Sequence, residues 1–302
     1  MKVLLAVYES RDANVAAKCL ENVYLPRGSS VTILHIVERP RVAPQFPGYY
    51  SLRAAWREAA VARGNRLVTS IAKRLRNSRL RIRTLVVEGV PRPDLLKAIR
   101  RLRIDLAVLG PHAFPRLARF FLGSVSEYTL SEAPCSVLIA RSRRRATTTS
   151  GPRVILTTDF SRDADAAATF LSRLDLPRSS QITMVHVEER AEDVLARLVA
   201  KGRTYFYQAL AEAVRARRQH LARLLDRVGR RFARRGWRVN RVLGAGYPTE
   251  EILRVAARQP ADLIVLGSRG VTGFTRMLLG SVSRTVARHA PCSVLVVRRT
   301  RR

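Results

Sequence analysis

Short apolar runs alternate with longer amphipathic stretches along the whole chain. Runs near Lys2 to Val7, Ser30 to Val37, Arg81 to Val87, Leu106 to Leu109 and Ser136 to Ala140 read as strands. A second set follows at Arg153 to Thr157, Gln181 to Val187, Arg238 to Leu243, Leu263 to Leu266 and Ser293 to Val297. Continuous apolar runs of this length, rather than strictly alternating ones, fit strands covered on both faces. Helical stretches between them predict a parallel sheet with helices on each side. Right-handed crossovers wind such a sheet doubly and put its ligand crevice at the C-terminal ends of the strands. The expected class is therefore α/β: two tandem doubly wound domains, each a five-stranded, mainly parallel, Rossmann-like sheet.

The pattern repeats because the sequence does. Val3-Leu4-Leu5 with Ser10-Arg11-Asp12-Ala13 returns as Val154-Ile155-Leu156 with Ser161-Arg162-Asp163-Ala164. His35 returns as His186, the same offset of 151 residues as Ser10 to Ser161. Further on, Pro91 matches Pro248 and Ala133-Pro134-Cys135 matches Ala290-Pro291-Cys292, an offset of 157. Six extra residues therefore lie in the second copy between Glu189 and Pro248. Arg141 to Pro152 is polar, basic and closed by Gly151-Pro152, which marks an inter-domain segment. The expected division is residues 1–142, a linker at 143–152, and residues 153–302. The terminal strands of the two copies are apolar edge strands that would invite aggregation if bare, so pairing between them is expected.

After its second strand, copy one has a proline-rich segment from Arg39 to Tyr50 and then a helix from about Ser51 to Arg76. Copy two has a long helical stretch from about Ala191 to Arg235, stopped by Gly236, with Leu210, Leu221, Leu224, Leu225 and Val228 as its buried stripe. Arginines crowd that stretch. A solvated helix face explains them, and a surface for a polyanion is the sharper alternative; Tyr205, Phe206, Tyr207, Phe232 and Trp237 interleave only weakly.

The most informative stretch runs from Ala261 to Val297. A strand ending at Leu266 meets a loop with Gly267, Gly270 and Gly273, and Gly280-Ser281-Val282-Ser283 then opens a helix, with Ser281 or a neighbour as N-cap. Glycines permit close backbone approach, and the free amides and dipole of a helix N-terminus attract anions. This is neither a phosphate loop ending in G-K-[ST] nor a dinucleotide G-x-G-x-x-G. The Gly267-x-x-Gly270 pair, the Gly280-Ser281 helix start and the closing P-C-S-V-L-V-V resemble the ATP-binding signature of the universal stress protein family. The resemblance covers nearly the whole chain, twice over, and implies the same doubly wound fold.

The resemblance further implies an adenine nucleotide held in copy two, as ATP with or without Mg2+, serving as a switch or sensor in the stress response. It implies that Asp159 meets the adenosine side or its metal, that the backbone of Val187 meets the adenine edge, and that Gly267, Gly270, Gly280, Ser281, Val282 and Ser283 surround the phosphates. An acid at a strand's C-terminal end faces the crevice, where it can bond a hydroxyl, an amine or a metal; capping the next helix is its bland alternative. Arg269 and Arg276 lie in the loop and could neutralise phosphates. His35 and His186 suit packing or capping better than proton transfer. Family dimers join through the last strand, so an internal pseudo-dimer is expected, with a homodimer as a further assembly. No nucleophile with a supporting base appears, so binding is better supported than turnover; slow ATPase activity, as in some family members, is the alternative.

Copy one has lost the motif: its loop reads Gly110-Pro111-His112-Ala113, with Ala113 where copy two has Gly270, and Tyr8 stands where copy two has Asp159, while Gly123-Ser124 is retained. A structural or regulatory role follows.

Composition alters this picture in one respect. The chain has 302 residues and a net charge of +33. Only Lys2, Lys18, Lys73, Lys97 and Lys201 are lysines; the other cations are arginines. Such a charge draws polyanions non-specifically. The odd cysteine count, Cys19, Cys135 and Cys292, argues against a disulfide framework and fits a reducing cytoplasm. The N-terminal apolar run is too short for a signal-peptide core, and no run approaches membrane-spanning length.

Overall fold

The computed structural model describes residues 1–8, 10–38, 49–76, 80–110, 122–142, 151–188, 207–270 and 279–299. Two compact units emerge, one of Met1–Ser142 with Ser293–Arg302, the other of Arg143–Cys292.

In the first unit, strands β1 (Lys2–Val7), β2 (Ser30–Glu38), β3 (Arg81–Gly89), β4 (Leu106–Leu109) and β5 (Ser136–Ile139) alternate with helices α1 (Ser10–Glu21), α2 (Tyr49–Leu75), α3 (Pro91–Arg101) and α4 (Ser124–Glu132). The strands order as β3-β2-β1-β4-β5, every pair parallel. α1 and α2 pack together on one face and α3 and α4 on the other. β4 and β5 are buried at every position, as an apolar run covered twice must be.

The second unit repeats the plan with β6 (Arg153–Thr157), β7 (Gln181–Glu188), β8 (Arg238–Ala245) and β9 (Leu263–Gly267). Its helices are α5 (Arg162–Arg173), α6 (Tyr207–Ala233), α7 (Pro248–Arg258) and α8 (Ser281–His289). The parallel order is β9-β6-β7-β8. The doubly wound α/β expectation therefore holds in both repeats, although the second unit keeps four of the five expected strands, because residues 293–302 belong to the first unit. Winding reverses between β1 and β4 in one unit and between β6 and β9 in the other, which sets the crevice at their C-terminal ends.

The last strand, β10 (Ser293–Val297), lies antiparallel on β5, with Val294 opposite Ile139 and Leu295 opposite Leu138. It belongs to the first compact unit and covers the edge that β5 would otherwise leave bare. The Ser293 hydroxyl accepts the Arg141 amide at 3.0 Å, and Arg298 donates to the Leu130 and Ser131 carbonyls at 2.7 Å.

Element ends follow local chemistry. Pro91 and Pro248 occupy first helical turns, where a missing N–H costs nothing. Gly236, at φ 78°, stops α6 and turns the chain so that Trp237 stacks on Phe232 at 5.9 Å. Strands β2, β3, β7 and β8 run one or two residues longer than the apolar runs suggest, because their ladders continue, as in Glu38 opposite Gly89. Buried positions Val68 and Leu75 of α2 correspond to Leu225 and Phe232 of α6 at the later offset. The six extra residues therefore precede α6, within 189–206, outside the described residues. The expected helix start near Ala191, with Tyr205 and Phe206, lies there too, as do 39–48 and the central linker.

Among the described residues no helix is long and apolar enough to cross a membrane. All three cysteines are free thiols and buried. Burial pushes the Cys19 thiol from 9.0 up to about 11 and the Cys135 thiol up to about 12. The folded state thus favours the neutral thiols, a contribution present below the unfolded pKa and lost as pH rises from about 9 towards about 11 for Cys19 and about 12 for Cys135. Native protein at pH 8 should react with an aromatic disulfide reagent at least about tenfold more slowly than denatured protein, since the thiolate is the nucleophile. Rapid titration of a thiol in the folded chain would contradict this burial.

Candidate functional site

The second crevice is built where β6 and β9 end. After Thr157 the chain turns sharply. The Thr158 hydroxyl accepts the Phe160 amide at 3.0 Å, and Asp159 Oδ1 accepts the Ser161 amide at 3.0 Å. Phe160 takes a left-handed φ of 61°, costly for a bulky residue unless its surroundings hold it. They do: its ring lies 4.8 Å from that of His186. His186 Nδ1 in turn donates to the Thr158 carbonyl at 2.7 Å. The histidine is thus a brace of the turn, and His35 does the same at Val7 in the first unit, at 3.0 Å. Ser161, not Asp159, caps α5, accepting the Ala164 amide at 3.2 Å.

The turn presents Asp159 to the loop after β9. A Cβ placed on Gly270 would sit 2.9 Å from Asp159 Oδ2, so two of the expected site residues are in contact. Gly267 is tighter still: its Cβ would lie 2.7 Å from the Asp163 carbonyl carbon and 2.9 Å from the Ala164 nitrogen. Ser268 donates to Asp163 Oδ2 at 2.9 Å and Arg269 Nε does so at 3.2 Å. Arg269 is thereby held by a buried carboxylate through its Nε. Gly273 and Arg276 lie outside the described residues.

The helix start closes the site. Gly280 is the N-cap of α8 and brings no side chain to its first turn. Its amide donates to the Ser268 carbonyl at 2.7 Å, and its absent Cβ would stand 3.4 to 3.9 Å from the Ser268–Gly270 backbone. Ser283 donates through Oγ to the Gly267 carbonyl at 2.7 Å. Its hydroxyl is therefore a tether, and what Ser283 and Val282 offer the crevice is backbone, whereas Ser281 is exposed. The helix dipole and these amides favour an anion there. Val187 lies at the same end of the sheet, half-buried and in register with Gly244.

The universal stress protein family model matches residues 1–141 and again residues 152–298. The chain belongs to the universal stress protein family. Universal stress protein YxiE of Bacillus subtilis is 30% identical over 141 residues, 46% of this chain and 92% of that protein. Universal stress protein Rv2005c of Mycobacterium tuberculosis is 25% identical over 314 residues, 99% of this chain and 97% of its own length. A universal stress protein structure from Archaeoglobus fulgidus superposes with a TM-score of 0.69 at 19% identity, covering 99% and 98% of the two chains.

Within this universal stress protein the first crevice differs. Ser126 keeps the tether to the Gly110 carbonyl, at 3.3 Å, and Gly123 remains the N-cap of α4. Tyr8, in place of the acid, is exposed and donates to Glu38 Oε1 at 3.3 Å. A cavity of about 140 Å³ persists there, lined by Tyr8, Ile36, Glu38, Leu95, Gly110 and Ser124 among others. Pro111, His112 and Ala113 lie outside the described residues.

Asp163, Ser268 and Phe160 are the participants that motif reading passes over. Asp163 was visible as a repeated helix-entry acid, but its reach across to β9 is a tertiary fact. Nothing in the sequence marks the left-handed turn at Phe160, since no glycine stands there.

Proposed function

We propose that this universal stress protein binds ATP in its second repeat and acts as a nucleotide-dependent switch or sensor in the stress response. The observation that carries this reading is the N-terminus of α8, where glycine is the N-cap and no side chain caps the amides, beside a loop glycine that rests on the Asp159 carboxylate. A Cβ at Gly270 would fill the cradle, and an anion fits the uncapped amides. By this reading the backbone from Gly280 to Ser283 would hold the phosphates. Asp159 would accept from a hydroxyl or amine of the nucleoside, or help hold Mg2+. The Val187 backbone would meet the adenine edge, as the family resemblance implies.

The first repeat has Tyr8, bonded to Glu38, at the position of Asp159, so one nucleotide per chain is expected. Losing one polar partner costs about 1–3 kcal/mol, and each 1.4 kcal/mol is about tenfold in affinity. Calorimetry of the full chain with ATP and Mg2+ should give a stoichiometry near one, and mass spectrometry should find any nucleotide that co-purifies. Two equivalent tight sites would overturn the asymmetry; no binding of any adenine nucleotide would overturn the proposal.

A further inference from the structure

Several arginines of the second unit are engaged with its fold. Arg231 donates to Asp165 and Thr169, at 3.3 and 3.0 Å. Arg235 reaches the Leu174 carbonyl at 2.9 Å and lies over Trp237. Arg217 pairs with Glu188 at 2.7 Å. Three others on α6, and Arg234 just past its end, behave differently. Arg223, Arg227, Arg230 and Arg234 are all exposed. They fall at i, i+4, i+7 and i+11, one line along the helix face opposite buried Leu221, Leu225 and Phe232.

The only carboxylate between Arg217 and Gly236 is Asp226, and it is paired with Arg241 of β8. Among the described residues none of the four has a carboxylate partner; Arg223 Nε makes a long bond, 3.4 Å, to the Gln219 carbonyl. Like charges three and four residues apart oppose the helix that carries them. The fold does not require this line. α2 has the same length and the same buried spacing, yet the matching positions are Arg66, Ser70, Lys73 and Asn77.

We propose that this arginine line is a docking surface for the phosphate backbone of a nucleic-acid duplex, held without reading its bases. Guanidinium groups match phosphate oxygens in pairs, which lysines do not. Eleven helical steps cover about 16 Å, the axial length of roughly five phosphates on one strand. A membrane surface fits less well, because a helix lying on lipid buries its apolar face there, and the apolar face of α6 is already packed in the core. A single strand would want exposed aromatic rings to stack on, and Phe232 and Trp237 are buried. An acidic protein would find no apolar anchor along the line.

Generic attraction to the +33 chain must be separated from a dedicated surface. Two full-length variants of equal net charge do this: R223Q/R227Q/R230Q/R234Q, and a control, R63Q/R76Q/R83Q/R100Q, altering exposed arginines of the first unit. Binding of a labelled 20-base-pair duplex of mixed sequence is followed by anisotropy across a salt series. At about 0.1 M salt the α6 variant should bind at least about tenfold more weakly, with a salt slope shallower by about 3 to 4. The control should lose less than about threefold and keep its slope. R227S/R234N, which installs first-repeat residues, should lose about half the slope change and guards against misfolding of the larger variant. Equal losses in the two quadruple variants would overturn the proposal. So would an α6 variant that keeps the duplex but loses anionic phosphatidylserine vesicles, which would make the occupant a membrane.

Discussion

Replacing Gly280 by valine is expected to weaken ATP binding by between about a hundredfold and ten-thousandfold while the fold survives. Gly280 has φ −74° and ψ 157°, a conformation any residue adopts, β-branched ones included. Its added Cβ would make only ordinary contacts, at 3.4 Å and beyond. The backbone therefore tolerates the substitution, with a cost near that of a poorer N-cap, about 1 kcal/mol. The ligand does not. The side chain would occupy the approach to the first-turn amides of α8. A phosphate that lost two charge-assisted bonds would forfeit about 3–6 kcal/mol. Calorimetry, with a thermal melt to verify folding, reads this directly. A folded variant that binds ATP as tightly as the parent would show that the nucleotide is not held at α8.

Gly267→Ala should act in the opposite sense, destabilising the second unit by about 3 kcal/mol or more even in the absence of ligand. The new methyl would lie 2.7–2.9 Å from the backbone of Asp163 and Ala164 in the first turn of α5. Backbone cannot rotate away as a side-chain tip can. Either α5 moves, straining the bonds of Asp163 to Ser268 and Arg269, or β9 moves and strains the Ser283 tether. Overpacking a close contact costs about 1–3 kcal/mol, and the severed buried ion pair adds to it. For a unit of this size the midpoint should fall by roughly 6–12 °C. Gly229→Ala makes the control: its methyl would meet the flexible end of Met184 at 2.9 Å, and alanine is the better helix former. If the Gly267 and Gly229 variants melted alike, the close approach of β9 to α5 would not be what fixes this loop.

Those opposite expectations show where the glycine signature divides. From sequence, Gly267, Gly270 and Gly280 looked like one device for approaching a phosphate. In the structure Gly267 serves strand-on-helix packing, Gly270 makes room beside Asp159, and only Gly280 opens the helix end. The three share a residue type for different steric reasons, and residue type is all that a motif records.

The sequence by itself determined the architecture. A repeated string of short apolar runs fits a parallel sheet covered on both faces, and two copies of the string specify that plan twice; that the last strand of copy two lies antiparallel on β5 and belongs to the first unit is a tertiary fact. It also located the crevice, because reversal of winding follows from strand order and strand order from the family pattern. The tertiary structure alone decided which side chains meet there. Arg269 places its Nε on Asp163 because a buried carboxylate needs a charged or hydrogen-bonding partner. Ser283 spends its hydroxyl on Gly267, and Asp159 is aimed by a left-handed phenylalanine that no local rule foresees. These are contacts between residues roughly a hundred positions apart in several cases, and local periodicity carries no information about them.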